Sequence, residues 1–214
     1  MGTGASYDER LQGEYGRLLR EVSAHFAGKS GVYQTLLSLA RRLDEEGIPY
    51  AVIGGMALGR HGLARMTEDV HVQMTEEGLA AFQARCVGKG YVLAFTGARK
   101  TFRDAETQVR IEIITTGEYP GDGKPKPVVF PNPIEVSVEV EGVRVVTLEK
   151  LIEFKLASGM SAPHRLRDLA DVQDLIGALG LPADFAEKLD ESVRGEYQRL
   201  WQAVQDARDK MQDK

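Results

Sequence analysis

Cysteine is almost absent from this sequence of 214 residues, because Cys86 is the only one. An internal disulfide is therefore impossible, and a zinc site built from several cysteines is excluded. Long apolar runs are missing too: the longest, around residues 51–58, contains two glycines and is far shorter than the roughly 20 residues of a membrane-spanning helix. The first ten residues lack the basic-then-apolar order of a signal peptide. We therefore expect a cytoplasmic protein with no membrane partner.

Basic residues are fewer than acidic ones. Asp and Glu number 32 against 27 Lys and Arg, which gives a net charge of −5 and a pI near 5.5. This balance argues against strong non-specific binding of nucleic acid, although it leaves room for a small basic pocket that binds a nucleotide. Hydrophobic residues make up 43% of the chain, which is typical of a globular protein with an ordinary core.

Hydrophobic periodicity divides the chain into three predicted parts. Apolar residues spaced three and four apart predict a helical N-terminal arm over residues 1–31. Residues 32–146 mix helical and strand patterns and predict an α/β core of the α+β type, with strands near 50–53, 69–74, 91–95, 100–103, 108–114, 134–140 and 143–146. Residues 147–214 predict a C-terminal helical region. A long irregular segment, 115–133, is rich in Gly and Pro, and loops of this length often bind ligands.

Two glycines, Gly54 and Gly55, follow the first predicted strand and precede a predicted helix. Glycine has no Cβ, so its backbone amide can approach an anion closely. The N-terminus of a helix adds a partial positive charge that favours phosphate. The pattern therefore indicates a phosphate site, although a tight turn without a ligand would produce it as well.

Three side chains suited to metal binding fall on two predicted strands. Asp69 and His71 are two residues apart, so both leave the same face of their strand. Glu112 alternates with Ile111 and Ile113, so it can present a carboxylate from another strand. Together they could hold one or two divalent ions beside a triphosphate. The alternative is that each is an exposed polar residue on a half-solvated sheet.

These motifs occur in an order that resembles a known family. The positions are Gly54-Gly55, then Arg65-x-Thr67-x-Asp69-Val70-His71, then Glu112 within an apolar strand. This order resembles the nucleotidyltransferase superfamily, and within it the minimal branch that includes the AbiEii-type toxins of toxin–antitoxin systems. The likeness continues through residues 149–155 and 167–172 and covers about residues 35–180. It implies a short mixed sheet flanked by helices.

The resemblance also implies a role for each matching residue. Asp69 and Glu112 would be catalytic residues and metal ligands, with Glu112 also activating the acceptor hydroxyl. His71 would be the third metal ligand. It stands where the family has a second aspartate, and this matters because Mg²⁺ prefers oxygen ligands while imidazole suits Mn²⁺, Ni²⁺ or Zn²⁺. The expected cofactor is a divalent metal, Mg²⁺ or Mn²⁺.

The nucleotide site implied by the resemblance comprises Gly54, Gly55, Arg65, Thr67 and Lys155. The two glycines would contact the phosphates. Lys155 either reaches a phosphate or extends its ammonium into solvent past apolar neighbours, and the sequence leaves both open.

Asp168 and Asp171 are expected to cap helices and form ion pairs in the C-terminal region rather than to catalyse a reaction. They lie three residues apart in the stretch 167–172.

Two functions remain open from the sequence. One is a metal-dependent nucleotidyltransferase that moves a nucleoside monophosphate from an NTP to a hydroxyl of a protein, an RNA or a small molecule. The other is a catalytically impaired NTP-binding or interaction module, because His71 replaces a metal-binding aspartate. The toxin branch would add an antitoxin partner. The sequence gives no oligomeric state.

Overall fold

The computed structural model describes residue 24 and residues 29–212. Most of the predicted N-terminal arm, residues 1–31, lies outside the described residues. The first described helix, α1, spans Gly31–Glu45. It begins after Ser30, whose hydroxyl accepts a hydrogen bond from the backbone N–H of Tyr33 and so caps the helix.

The described chain forms one mixed sheet of seven strands with helices on both faces, which confirms the predicted mixed α/β fold. The strands are β1 (Tyr50–Ile53), β2 (Asp69–Met74), β3 (Tyr91–Leu93), β4 (Thr101–Asp104), β5 (Arg110–Thr115), β6 (Ser137–Val140) and β7 (Val143–Val146). After α1, the helices are α2 (Gly54–Arg60), α3 (Glu76–Arg85), α4 (Pro133–Val136), α5 (Leu148–Ser161), α6 (Leu166–Leu179) and α7 (Glu191–Gln212). Two 3₁₀ turns span Pro163–Arg165 and Ala183–Lys188.

The strand order is β3-β4-β5-β2-β1-β7-β6. The central strand β2 pairs antiparallel with β1 and parallel with β5. In this register His71 lies opposite Ile53 on one side and Glu112 on the other. The residues that sequence analysis selected therefore meet in the middle of the sheet.

Each face of the sheet packs against its own set of helices. Helices α1 and α3 cover the face that carries Val70, Val72 and Ile111. Helices α5, α6 and α7 cover the opposite face, where Ala51 and Ile53 pack. Asp69, His71 and Glu112 are only half-buried, although they belong to the second face by alternation. That face therefore has an open end at which polar groups meet solvent.

One predicted strand is partly wrong. Residues 134–136 belong to the short helix α4, and strand β6 begins only at Ser137. The side chain of Asn132 accepts a hydrogen bond from the backbone N–H of Ile134 at 3.0 Å, and Pro133 occupies the first helical position. Both features favour a helix start over a strand.

Within the described residues, no helix is both long enough and apolar enough to span a membrane.

Candidate active site

The three predicted metal ligands come together at the open end of the sheet. The imidazole Nε2 of His71 lies 3.3 Å from Oδ2 of Asp69 and 3.3 Å from Oε2 of Glu112. One ligand atom from each residue lies within 4.8 Å of the other two. The alternation along β2 brings Asp69 and His71 to the same face, and the parallel pairing with β5 adds Glu112 beside them.

This donor set fits a divalent metal ion. Two ligand atoms bound about 2.1 Å from one ion at 90–109° are separated by about 3.0–3.4 Å, and the separations of His71 Nε2 from the Asp69 and Glu112 oxygens, 3.3 Å each, fall in this range. The donors are two carboxylate oxygens and one imidazole nitrogen, a mixture that suits Mn²⁺ or Zn²⁺ better than Mg²⁺. All three side chains are partly exposed, so water and a substrate could complete the coordination.

The pKa of Glu112 lies below its usual value. The hydrogen bond from His71 is the largest cause, and burial of the carboxyl group works in the opposite direction. The charges of His71, Arg110 and Arg165 lower the pKa further, and Arg110 donates a hydrogen bond to Glu112 at 3.0 Å. Glu112 is therefore ionised at neutral pH, as a metal ligand must be.

The two glycines of the predicted phosphate site lie close to His71 of β2 and to Thr67, which precedes β2. Gly54 has a φ of +68°, and a Cβ added there would lie 2.8 Å from Nδ1 of His71. A Cβ added at Gly55 would lie 2.9 Å from Cβ of Thr67. The hydroxyl of Thr67 in turn donates to Oδ1 of Asp69 at 3.0 Å. Glycine at these positions lets α2 begin directly beside the ligands; contact with phosphate stays a prediction.

Lys155 is the centre of a buried ion network. Its Nζ lies 2.9 Å from Oδ1 of Asp168 and 2.7 Å from Oδ2 of Asp171, and only 6% of its side chain is exposed. Arg65 approaches the other oxygen of Asp171 at 3.2 Å. The ammonium of Lys155 does not extend into solvent, and Asp168 and Asp171 form the expected ion pairs. The network joins α5 and α6 to the segment that precedes Asp69.

The surroundings of Asp168 shift the pKa of its carboxyl group. Burial acts to raise its pKa and is the largest single influence. The charge of Lys155, hydrogen bonds from Ser158 and Lys155, and the charge of Arg165 together outweigh burial, so the pKa lies below its usual value. The Ser158 hydroxyl donates to Oδ2 of Asp168 at 2.6 Å.

A cleft with a volume of about 510 Å³ opens beside the three ligands. Gly54, His71 and Glu112 form its sheet wall, while α5 contributes Phe154 and Lys155. Asp69, Gly55, Arg65 and Thr67 are not among the lining residues. Thr67 supports Asp69, and Arg65 joins the buried ion network.

The irregular segment 115–133 forms the outer wall of the cleft. Its ends are joined by hydrogen bonds from Gly117 N to Phe130 O at 2.8 Å and from Phe130 N to Glu118 O at 2.9 Å. Its tip is fixed to α5, because Lys126 Nζ lies 2.9 Å from the Ser161 hydroxyl. The predicted ligand-binding segment thus lines the cleft as a wall tied to the helices.

Arg165 is a cleft residue that sequence analysis did not find. It ends the 3₁₀ turn Pro163–Arg165 and lines the cleft together with His71 and Glu112. A single exposed arginine in a turn gives no distinctive local pattern, so no sequence signal identified it. Its position follows from the packing of α5 and α6 against the sheet.

Comparisons with known proteins give the fold a class. No protein-family model matches the sequence, and neither does any curated protein. Among solved structures, ANT(2")-Ia in complex with adenylyl-2"-tobramycin is 16% identical, with a TM-score of 0.50 over 78% of this chain and 97% of that one. An antigenic nucleotidyltransferase-like protein from Paracoccidioides brasiliensis is also 16% identical, with a TM-score of 0.50 over 84% and 89%. The chain therefore has a nucleotidyltransferase-like fold.

Proposed function

We propose that this protein is a metal-dependent nucleotidyltransferase that moves a nucleoside monophosphate from an NTP to a hydroxyl group and releases pyrophosphate. One observation carries the proposal: Asp69, His71 and Glu112 converge beside a cleft of about 510 Å³. The nucleotidyltransferase-like fold supports it, and Gly54, His71 and Glu112 from the motifs that suggested the family line this cleft. Asp69, His71 and Glu112 would hold the ion.

The reaction needs positive charge near the α-phosphate, where the acceptor oxygen attacks and the bond to pyrophosphate breaks. A divalent ion bound by the three ligands would supply that charge to the phosphate oxygens. Thr67 orients Asp69 through its hydroxyl, so the carboxylate is held ready to bind. The lowered pKa of Glu112 suits a metal ligand and makes this carboxylate a weak general base.

A transfer assay with the full chain tests the proposal. Each of the four NTPs, labelled at the α-phosphate, is incubated with Mg²⁺ or Mn²⁺ and with total protein, RNA or small hydroxyl compounds that include tobramycin. We expect labelled product from one combination, and a loss of about 100-fold or more in Asp69→Asn and Glu112→Gln.

The matched control is Glu77→Gln, which removes the same kind of charge from an exposed position on α3. It should transfer at the rate of the unmodified chain. Transfer by Asp69→Asn at the unmodified rate would refute the assignment of the site. Absence of both transfer and nucleotide binding would refute the function itself.

A second candidate function is an NTP-binding module that no longer transfers, and one observation favours it. The Nε2 atom of His71 lies 3.3 Å from each of two carboxylates. With its Nε2 atom next to both carboxylates, the imidazole occupies the space between them that an ion would need. On this proposal the chain binds NTP but yields no labelled product with any metal in the transfer assay.

The finer assignment, to the AbiEii-toxin-like branch, rests on the order of motifs in the sequence. On this assignment the protein is cytoplasmic, arrests growth when it is expressed alone, and is neutralised by an antitoxin partner. Expression of the chain in a bacterial host should then slow growth, and Asp69→Asn should relieve the effect. Normal growth with full expression of an active transferase would contradict the toxin branch.

A further inference from the structure

Two cationic side chains, Lys155 and Arg165, line the cleft among the described residues, and they differ in how far their hydrogen-bond donors are already used within the protein. Lys155 is occupied by two carboxylates at 2.9 and 2.7 Å. Arg165 is exposed, and its guanidinium makes no hydrogen bond or ion pair within the part of the chain that the structure describes. Its donors are therefore available to a ligand.

The backbone that carries Arg165 is well supported. Pro163 begins the 3₁₀ turn, and its ring fixes φ at that position. The backbone N–H of Arg165 donates to the carbonyl of Ala162 at 2.8 Å, and Ala162 itself is buried. The arginine side chain is thus mounted on a fixed turn at the wall of the cleft.

The position of Arg165 relative to the metal ligands suits an extended polyphosphate. Arg165 lines the same cleft as His71 and Glu112 of the ligand cluster and Asp168 of the helical wall. The α-phosphate must react beside the metal ligands, so the outer phosphates extend away from them. A guanidinium offers paired donors that match phosphate oxygens.

We propose that Arg165, rather than Lys155, binds the outer phosphates of the NTP. The inference rests on the proposed nucleotide-binding function and assigns a residue to it. Lys155 then acts as a structural cation whose charge is balanced inside the protein, and Arg165 distinguishes an NTP from the corresponding monophosphate.

Nucleotide titration calorimetry of the full chain tests this assignment. Binding of ATP, ADP and AMP, and of the same series for the other three bases, is measured with Mn²⁺ for the unmodified chain and for Arg165→Ala. We expect Arg165→Ala to weaken NTP binding about tenfold or more and to change monophosphate binding less than twofold. Arg165→Lys should bind NTP with an affinity between those of the unmodified chain and Arg165→Ala, because it keeps the charge but not the paired donors.

Arg41→Ala is the matched control, since it removes the same charge from an exposed position on α1, which packs on the opposite face of the sheet. It should bind every nucleotide like the unmodified chain. NTP binding by Arg165→Ala at unmodified strength would overturn the inference, as would an equal loss for NTP and monophosphate. Failure of the unmodified chain to bind any nucleotide would overturn the proposed function as well, so the two failures are distinguishable.

Discussion

Replacement of Lys155 by methionine tests whether this lysine stabilises the fold as a buried cation or binds a phosphate. Methionine has a similar length but no charge, so the packing against α6 is largely kept. The carboxylates of Asp168 and Asp171, 2.9 and 2.7 Å from the ammonium, lose their shared partner. Asp171 is almost fully buried, with 3% of its side chain exposed, and cannot turn to water for compensation.

The expected cost follows from these contacts. Removal of one partner from a buried ion pair typically lowers the free energy of unfolding by about 3–5 kcal/mol. Arg65 remains beside Asp171 at 3.2 Å, and Ser158 still donates to Asp168 at 2.6 Å. These remaining partners place the expected loss near the lower end, at about 3 kcal/mol.

Urea unfolding, followed by far-ultraviolet circular dichroism, measures the loss. Lys89→Met removes the same charge from an exposed position and should stay within about 0.5 kcal/mol of the unmodified chain. Nucleotide affinity is measured on both variants under conditions where they are folded. A loss of less than about 1 kcal/mol in Lys155→Met, together with tenfold weaker NTP binding, would refute the structural reasoning and support a phosphate ligand.

Three further predictions concern the metal, the glycine turn and pH. Transfer by the unmodified chain should be faster with Mn²⁺ than with Mg²⁺. His71→Asp should raise the Mg²⁺-supported rate because it returns an oxygen ligand. An equally high rate of the unmodified chain with both metals would contradict this prediction. Gly55→Ala should lower the free energy of unfolding in urea by about 1–3 kcal/mol, because its new Cβ would lie 2.9 Å from a neighbouring side chain. Gly195→Ala has open space around it and should raise the free energy of unfolding by up to about 1 kcal/mol. The pKa of Asp168 is lower in the folded state than the unfolded value of about 3.9, so its stabilisation is complete above that pH and is lost as the pH falls through the folded pKa. Urea midpoints between about pH 2.5 and 6 should therefore fall less steeply in Lys155→Met than in the unmodified chain.

The sheet face that carries Asp69 and His71 could be predicted because it depends on a local rule. Side chains alternate along a strand, so Asp69 and His71 share a face whatever the rest of the chain does. The presence of Glu112 beside them needed one tertiary fact, the parallel pairing of β2 with β5. The family resemblance implied only that the third acid lies within a later apolar strand, so the pairing itself comes from the structure.

Other parts of the site depend on packing that no local pattern encodes. Lys155 meets Asp168 and Asp171 only because α5 and α6 pack against each other, and sequence analysis expected ion pairs for the aspartates without naming the lysine. Arg165 lines the cleft for the same tertiary reason. The start of α4 is different, because the pair Asn132 and Pro133 is a recognisable cap that could have corrected the predicted strand.

On the proposed function, the charges around the cleft explain how a histidine could stand among the residues that would hold the metal ion. Three carboxylates would repel a triphosphate strongly unless ions neutralised them. A histidine at position 71 carries no negative charge, whereas the aspartate that the family has at this position would, and the charges of Arg110 and Arg165 act on Glu112. The cleft is therefore less negative than one with a third carboxylate, which on the proposed function would lessen its repulsion of a polyphosphate. On the same proposal, this change would weaken the binding of Mg²⁺ and so link the choice of metal to the strength of nucleotide binding.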